Sequence, residues 1–481
     1  MSSENGEIYI MHDECDTEWV RPKPARDAIV SVLTEVTEIE TETVDELDTY
    51  LDPDALRAVN RQALFGRPRT AAVTPSRRDR AVLSGVVFAV LFAQVLLYPG
   101  IPDLVVALGG TPAAWDGDVG AILDAGKWFL TVEFLGFVLC AGLWGAFSDA
   151  TGRRTPLIVA GAVVGAAGYL SLGVLGSFGT VPYGGILAVR FLQGIATIGA
   201  FSLAITTLMD LEGGQGANMG AAGLAIGAGT ALGSPVGGAL YSLGPLVPLY
   251  AAAAVLIVVG LLSMLATDRA PTPARRSPAA VLRGLQGRPS LAVPFAFGFV
   301  DRLTAGFFAL VGTVYFQSAF DLGAGTTGVL LGAFFLPFAL LQYPFGRLSD
   351  RIGRVIPVAA GSLGYGFAVI SVYYAPTPPA AGGAMLLVGV VGALVAPATM
   401  ALVSDLAAPE QRGVAMGGFN VFGSLGFLSG IVGGATVAGA VGFRAAFFAV
   451  GFAEIALAVV LFPVLLRLDV PVGRGESVDG G

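Results

Sequence analysis

Lysine is almost missing from this chain of 481 residues: only Lys23 and Lys127 occur. Histidine occurs once, at His12, which excludes an imidazole-based active site. The two cysteines, Cys15 and Cys140, supply neither a disulfide framework nor a metal cluster. Charged residues make up only 13% of the chain and no basic patch is present, so a nucleic-acid partner is not expected. No G-x-x-x-x-G-K-(S/T) string appears, which argues against an ATP-driven machine in one chain. The N-terminus is acidic rather than basic and then apolar, so no cleavable signal peptide is expected. No site for a cofactor or metal is legible, and the acids are too scattered for an enzyme.

What is abundant is apolar surface. Hydrophobic residues account for 54% of the chain, and the mean hydropathy is +0.75. From Ala81 to Leu466, apolar runs of about 20 residues recur, each long enough to cross a bilayer. We read twelve spans. The first six lie near 81–99, 128–147, 156–178, 183–208, 218–241 and 246–267. The second six lie near 291–318, 326–345, 355–375, 382–404, 414–438 and 445–466. The implied plan has five parts: an acidic segment 1–76, a six-helix bundle 77–267, a proline- and arginine-rich linker 268–290, a second bundle 291–466, and a tail 467–481. The fold class is therefore an all-α membrane protein of two pseudo-symmetric bundles, held in a lipid bilayer. The 68 glycines fit the close helix packing of such proteins.

One charged string occurs twice. Gly145-Ala-Phe-Ser-Asp149-Ala-Thr-Gly152-Arg153-Arg154 is echoed by Gly346-Arg-Leu-Ser-Asp350-Arg351-Ile-Gly353-Arg354. Each copy follows the second span of its half. The acids Asp210 and Asp405 recur in the same way, after the fourth span of each half. Arginines fix the orientation. Arg77, Arg78, Arg80, Arg153, Arg154, Arg347, Arg351, Arg354, Arg412, Arg467 and the linker arginines share one side, while the other carries Lys127 and Arg444. The positive-inside rule puts both termini and both hairpins in the cytoplasm.

These residues resemble the major facilitator superfamily over roughly residues 81 to 466. Its hairpin, G-x-x-x-D-(R/K)-x-G-R-(R/K), is matched in the first copy except at Ala150, and in the second by Gly346, Asp350, Arg351, Gly353 and Arg354. Arg190-Phe-Leu-Gln-Gly194 is similar to the family's R-x-x-x-G signature. Gly229-Thr-Ala-Leu-Gly233-Ser-Pro235-Val-Gly237-Gly238 resembles its antiporter motif, with the proline displaced by one. The resemblance implies a 12-helix, drug-exporter-like transporter that works by alternating access as a monomer. It also implies a latch between halves: Asp149 capping the eleventh span near Gly413 to Ala415, Arg153 meeting Asp210, and the mirrored set Asp350, Arg354 and Asp405. Residues 24–62 resemble a halobacterial output domain, and a lysine-poor, acidic composition fits a haloarchaeal, salt-rich cytoplasm.

Charges inside spans are costly, so they mark function or a partner. The candidates are Glu133, Arg190, Asp301, Arg302 and Glu454. Glu133 and Arg190 fall at similar depth and can form an ion pair, either static or released by protonation. Asp301 lies near mid-membrane in a span that the resemblance puts on the central cavity, with Arg302 as its neutraliser. Glu454 is expected to be structural. Gln94, Gln193, Gln342 and Asn420 either line the cavity or bond between helices. The leading expectation is proton-coupled efflux of small apolar or amphipathic compounds. Uptake of a sugar or organic acid, and a membrane sensor signalling through residues 1–76, are the alternatives.

Overall fold

The computed structural model describes residues 2–4, 7–9, 75–111, 118–178, 181–211, 215–268, 289–407 and 412–468. The chain divides into two units, Met1–Thr74 and Pro75–Gly481. In the first, β1 (Ser2–Glu4) pairs antiparallel with β2 (Glu7–Tyr9). Neither an acidic segment nor the output-domain resemblance over residues 24–62 anticipated this pair. The stretch resembling an output domain lies outside the described residues.

Apart from β1 and β2, the described elements are helical. In the second unit a helix stands at each of the twelve expected spans. α1 (Pro75–Val95) continues through a 3-10 turn at Tyr98–Gly100 into Ile101–Ala107. Then come α2 (Val119–Thr151), α3 (Thr155–Phe178), α4 (Tyr183–Met209), α5 (Gln215–Tyr241) and α6 (Val247–Ser263). α7 (Ala292–Phe307) continues through a π-helical turn at Phe308–Gly312 into Thr313–Phe320. α8 (Ala324–Ile352), α9 (Val355–Tyr373), α10 (Pro378–Leu406), α11 (Arg412–Val441) and α12 (Phe443–Leu465) complete the series.

Among the described residues, ten of these segments are long and apolar enough to cross a membrane. α2 makes an eleventh as a pair of helices, Val119–Cys140 and Gly142–Thr151, bent by 40°. α6 is apolar but only 17 residues long. At 1.5 Å per residue it covers about 26 Å, short of the ~30 Å hydrocarbon core. The sixth expected span, 246–267, therefore ends early, where Met264 to Ala266 wind into turns.

The packing is a repeat. α1 packs on α4, α5 and α6; α4 packs on α2 and α3; α3 packs on α6. The second half repeats this list with each number raised by six: α7 on α10, α11 and α12; α10 on α8 and α9; α9 on α12. The halves meet through α2 against α11 and α5 against α8. Small residues let these helices approach. A Cβ at Gly237 of α5 would strike the Leu96 carbonyl of α1, and one at Gly426 of α11 would strike the Phe299 carbonyl of α7.

The seventh and eighth spans are rich in Phe, and most of these rings are packing. Phe297, Phe307, Phe308, Phe334 and Phe335 are all buried. Phe307 and Phe308 stack edge-on to Phe447 of α12. Such rings contribute van der Waals packing and edge-to-face contacts between helices, which help hold the second bundle together in the membrane.

Candidate functional site

Both hairpins begin inside helices. α2 and α8 run past their apolar spans far enough to include Asp149 and Asp350. Each helix stops at a glycine with positive φ, Gly152 at 64° and Gly353 at 86°. Glycine adopts this region without a Cβ penalty, so the chain can turn at once into α3 or α9.

The two turns hold their charges differently. In the first, Arg154 reaches Asp210, at the C-terminus of α4. Arg153, expected in that role, is exposed, because the left-handed Gly152 turns the next residue outward and brings Arg154 over α4. In the second, Arg354 Nε donates to Asp405 at 2.9 Å, and its Nη1 donates to Asp350 at 2.5 Å and to the Ser349 hydroxyl at 3.0 Å. Burial works against the Arg354 charge, but the bonds to Asp405 and Asp350 outweigh it and raise its pKa above the ordinary arginine value. Asp149 is exposed and makes no ion pair or hydrogen bond among the described residues. Arg351 is exposed, a Cβ at Gly145 would meet open space, and one at Gly346 would lie 3.7 Å from Pro397 of α10.

Two further acids take part that sequence reasoning missed. Asp268, beyond the end of α6, accepts from the backbone N–H of Arg154 at 2.9 Å and of Thr155 at 3.1 Å. It caps the first turn of α3 from outside, satisfying donors that a helix start leaves open. Asp79, 1% exposed in α1, accepts from the Thr267 N–H at 3.2 Å. Asn218 joins α5 to this end by accepting from Arg80 Nε at 2.7 Å and donating to the Leu211 carbonyl at 2.6 Å. Nothing in local spacing signals these contacts, because each partner lies on a different helix.

Glu133 and Arg190 meet inside the first bundle at 2.5 Å, both fully buried. Arg190 also donates to Gln193 at 2.6 Å, and its guanidinium lies over the rings of Phe129 at 4.6 Å and Tyr169 at 5.3 Å. Gln94 stands beside the Glu133 carboxylate. In the second bundle, Glu454 of α12 is fully buried and accepts from Ser362 of α9 at 2.6 Å and from Thr304 of α7 at 3.2 Å. Asp301 lies one helical turn before Thr304, is 9% exposed, and has an oxygen without a hydrogen-bond partner. Arg302 does not pair with it. Adjacent helix residues diverge by about 100°, and the Arg302 stem lies instead against Gly423 of α11. Gln342 is half-buried and Asn420 exposed.

The glycine motif of α5 serves two neighbours. Gly229 and Gly233 face Phe88, Phe92 and Val95 of α1, as Gly237 faces Leu96. Gly238 and Pro235 instead face Ala324, Gly328 and Gly332 at the start of α8, across the halves. At the same end Gln317 donates to the Pro99 carbonyl at 2.7 Å, also across the halves. Phe134 of α2 meets Phe427 of α11, ring centres 4.4 Å apart. The halves are thus joined midway along the helices and at the end opposite the hairpins, while the hairpin ion pairs among the described residues stay within each half.

A family model described as Major Facilitator Superfamily matches residues 83–316 and 295–479. An uncharacterised MFS-type transporter of Methanocaldococcus jannaschii is 28% identical over 166 residues, 34% of this chain and 42% of that protein. The puromycin resistance protein pur8 of Streptomyces alboniger is 32% identical over 162 residues, 33% of this chain and 32% of that one. The chain thus spans less than half the length of either relative. A solved bacterial homolog of the human lysosomal transporter Spinster, inward-facing and unoccupied, shares the fold with a TM-score of 0.67 at 13% identity, over 82% of this chain and 98% of that one. With a match in each of its halves, the chain belongs to the Major Facilitator Superfamily.

Proposed function

We propose that this chain exports small apolar or amphipathic compounds across the cell membrane in exchange for protons, by alternating access, with both termini and both hairpins in the cytoplasm. The family assignment supports a secondary transporter of a small molecule. The observation that carries the mechanism is the unequal joining of the halves. Gly238 and Pro235 close on α8 and Gln317 on Pro99 at one end, and Phe134 meets Phe427 midway, while the ion pairs of the hairpin arginines among the described residues stay within their own halves. Such an arrangement suits the inward-open half of a cycle. In the other half the hairpin ends approach, and Asp149 reaches the N-terminus of α11, where a helix dipole favours a carboxylate. Arg154 with Asp210, and Asp350 with Arg354 and Asp405, keep each hairpin shaped for that contact. Gly145, with open space at its missing side chain, leaves room for the opposite half.

Export rather than uptake is supported by the relative named for puromycin resistance and by the glycine-rich α5. The test is flux of puromycin in proteoliposomes under an imposed pH gradient. Wild type is expected to move it against its gradient while protons run the other way. Asp149→Ala is expected to lose that flux at normal membrane levels. Co-accumulation of substrate with protons contradicts export, and retained flux in Asp149→Ala contradicts the latch.

A further inference from the structure

Glu133 and Glu454 are equally buried but meet opposite partners. Arg190 can only donate and stays charged, so protonating Glu133 would leave a buried guanidinium without its counter-charge. Ser362 and Thr304 can donate to a carboxylate or accept from a carboxylic acid. The Glu454 site therefore tolerates a change of protonation without losing its bonds. No cation lies within salt-bridge distance of Glu454 among the described residues. A buried carboxyl without a counter-charge is held neutral by a proton or paired.

Asp301 belongs to the same cluster. It stands on α7 one turn from Thr304, is 9% exposed and has an unpartnered oxygen. It lies within electrostatic reach of Glu454, and Tyr365 of α9 lies within reach of both acids. Of the other charged groups on the packed elements, Arg302 acts on Asp301 electrostatically but forms no ion pair with it, its stem lying toward Gly423 of α11. Asp405 at the end of α10 is taken by Arg354, and Arg444 of α12 lies over Phe448.

We propose that Asp301 and Glu454 act as one carboxyl pair that carries a single proton, and that this pair rather than Glu133–Arg190 is the proton site of the transporter. Asp301, the member that is not fully buried, takes a proton from water at the open end. One O–H bond forms on the pair, with Ser362 and Thr304 reorienting their hydroxyls. The same bond breaks to water after the halves have switched. The assignment rests on the proton-exchange reading above, and it is tested apart from it.

The experiment is infrared difference spectroscopy of the full-length protein in proteoliposomes during a pH change, read at the carbonyl stretch of protonated carboxylic acids. Wild type is expected to show a titrating band. Asp301→Asn and Glu454→Gln are each expected to remove the same band, because the proton is shared, while Glu133→Gln keeps it. Ser362→Ala retains both acids and is expected to shift the band by removing one hydroxyl. A band absent from wild type, surviving either acid substitution, lost in Glu133→Gln, or unmoved in Ser362→Ala overturns the pair. Puromycin flux in the same vesicles reads the other claim: flux indifferent to the pH gradient removes proton exchange, whatever the band does.

Discussion

Arg190 is the largest fully buried side chain among the described residues, and its charge is answered by one carboxylate. Removing one partner of such a pair leaves an uncompensated charge and costs about 3–5 kcal/mol. Glu133→Gln is therefore expected to lower stability in detergent unfolding by that order, and Glu133→Gln combined with Arg190→Met to recover most of it. The depth of the two residues was readable from the sequence, because helix rise converts position into height. The hairpin arginines were only half readable. The motif identified a basic turn, yet which arginine reaches Asp210 depends on the left-handed turn at Gly152. Arg154→Ala is expected to destabilise the first bundle by about 1–3 kcal/mol, the range for leaving a partly buried charged group unpaired. Arg153→Ala, at an exposed position, is expected to stay within about 0.5 kcal/mol. Equal effects of the two substitutions in the same unfolding assay contradict the assignment.

Helices were the most legible level, because an apolar run of bilayer length has few other uses. Their ends were less so. Hydropathy sees only the lipid-facing part of α2 and α8, whereas the backbone continues helically through Asp149 and Asp350 until a glycine stops it. The bend in α2 and the π-helical turn after α7 leave no period that an apolar average can register. The glycine patterns of α5 and α11 were visible, but their division of labour was not, since one helix face meets α1 or α7 and another meets the opposite half. Gly237→Leu and Gly426→Leu are expected to cost about 1–3 kcal/mol or more by overpacking against a backbone carbonyl. Gly433→Ala and Gly439→Ala, which face open space, are expected to be tolerated in the same unfolding measurement.

At the scale of the whole molecule, the duplicated hairpin made two halves legible, and the packing list repeats with each helix raised by six. What spacing could not supply was that Glu454 of α12 bonds Thr304, one turn from Asp301 on α7, because the two helices are far apart in the chain. Met1–Thr74 is one unit of the chain and the bundles belong to the other. Removing residues 1–76 is accordingly expected to leave puromycin flux in proteoliposomes intact, whereas a sensor would lose its output. The central claim is that the two ends of the protein open in turn. It is tested most directly by distances between spin labels, in protein whose Cys15 and Cys140 are replaced by serine. One pair, at Ala150 and Ile352, spans the halves at the hairpin end; the other, at the exposed Leu243 and Val441, spans them at the opposite end. As pH or added puromycin drives the cycle, the account predicts that the first distance shortens as the second lengthens. Two distances that stay fixed, or that change in the same direction, contradict it.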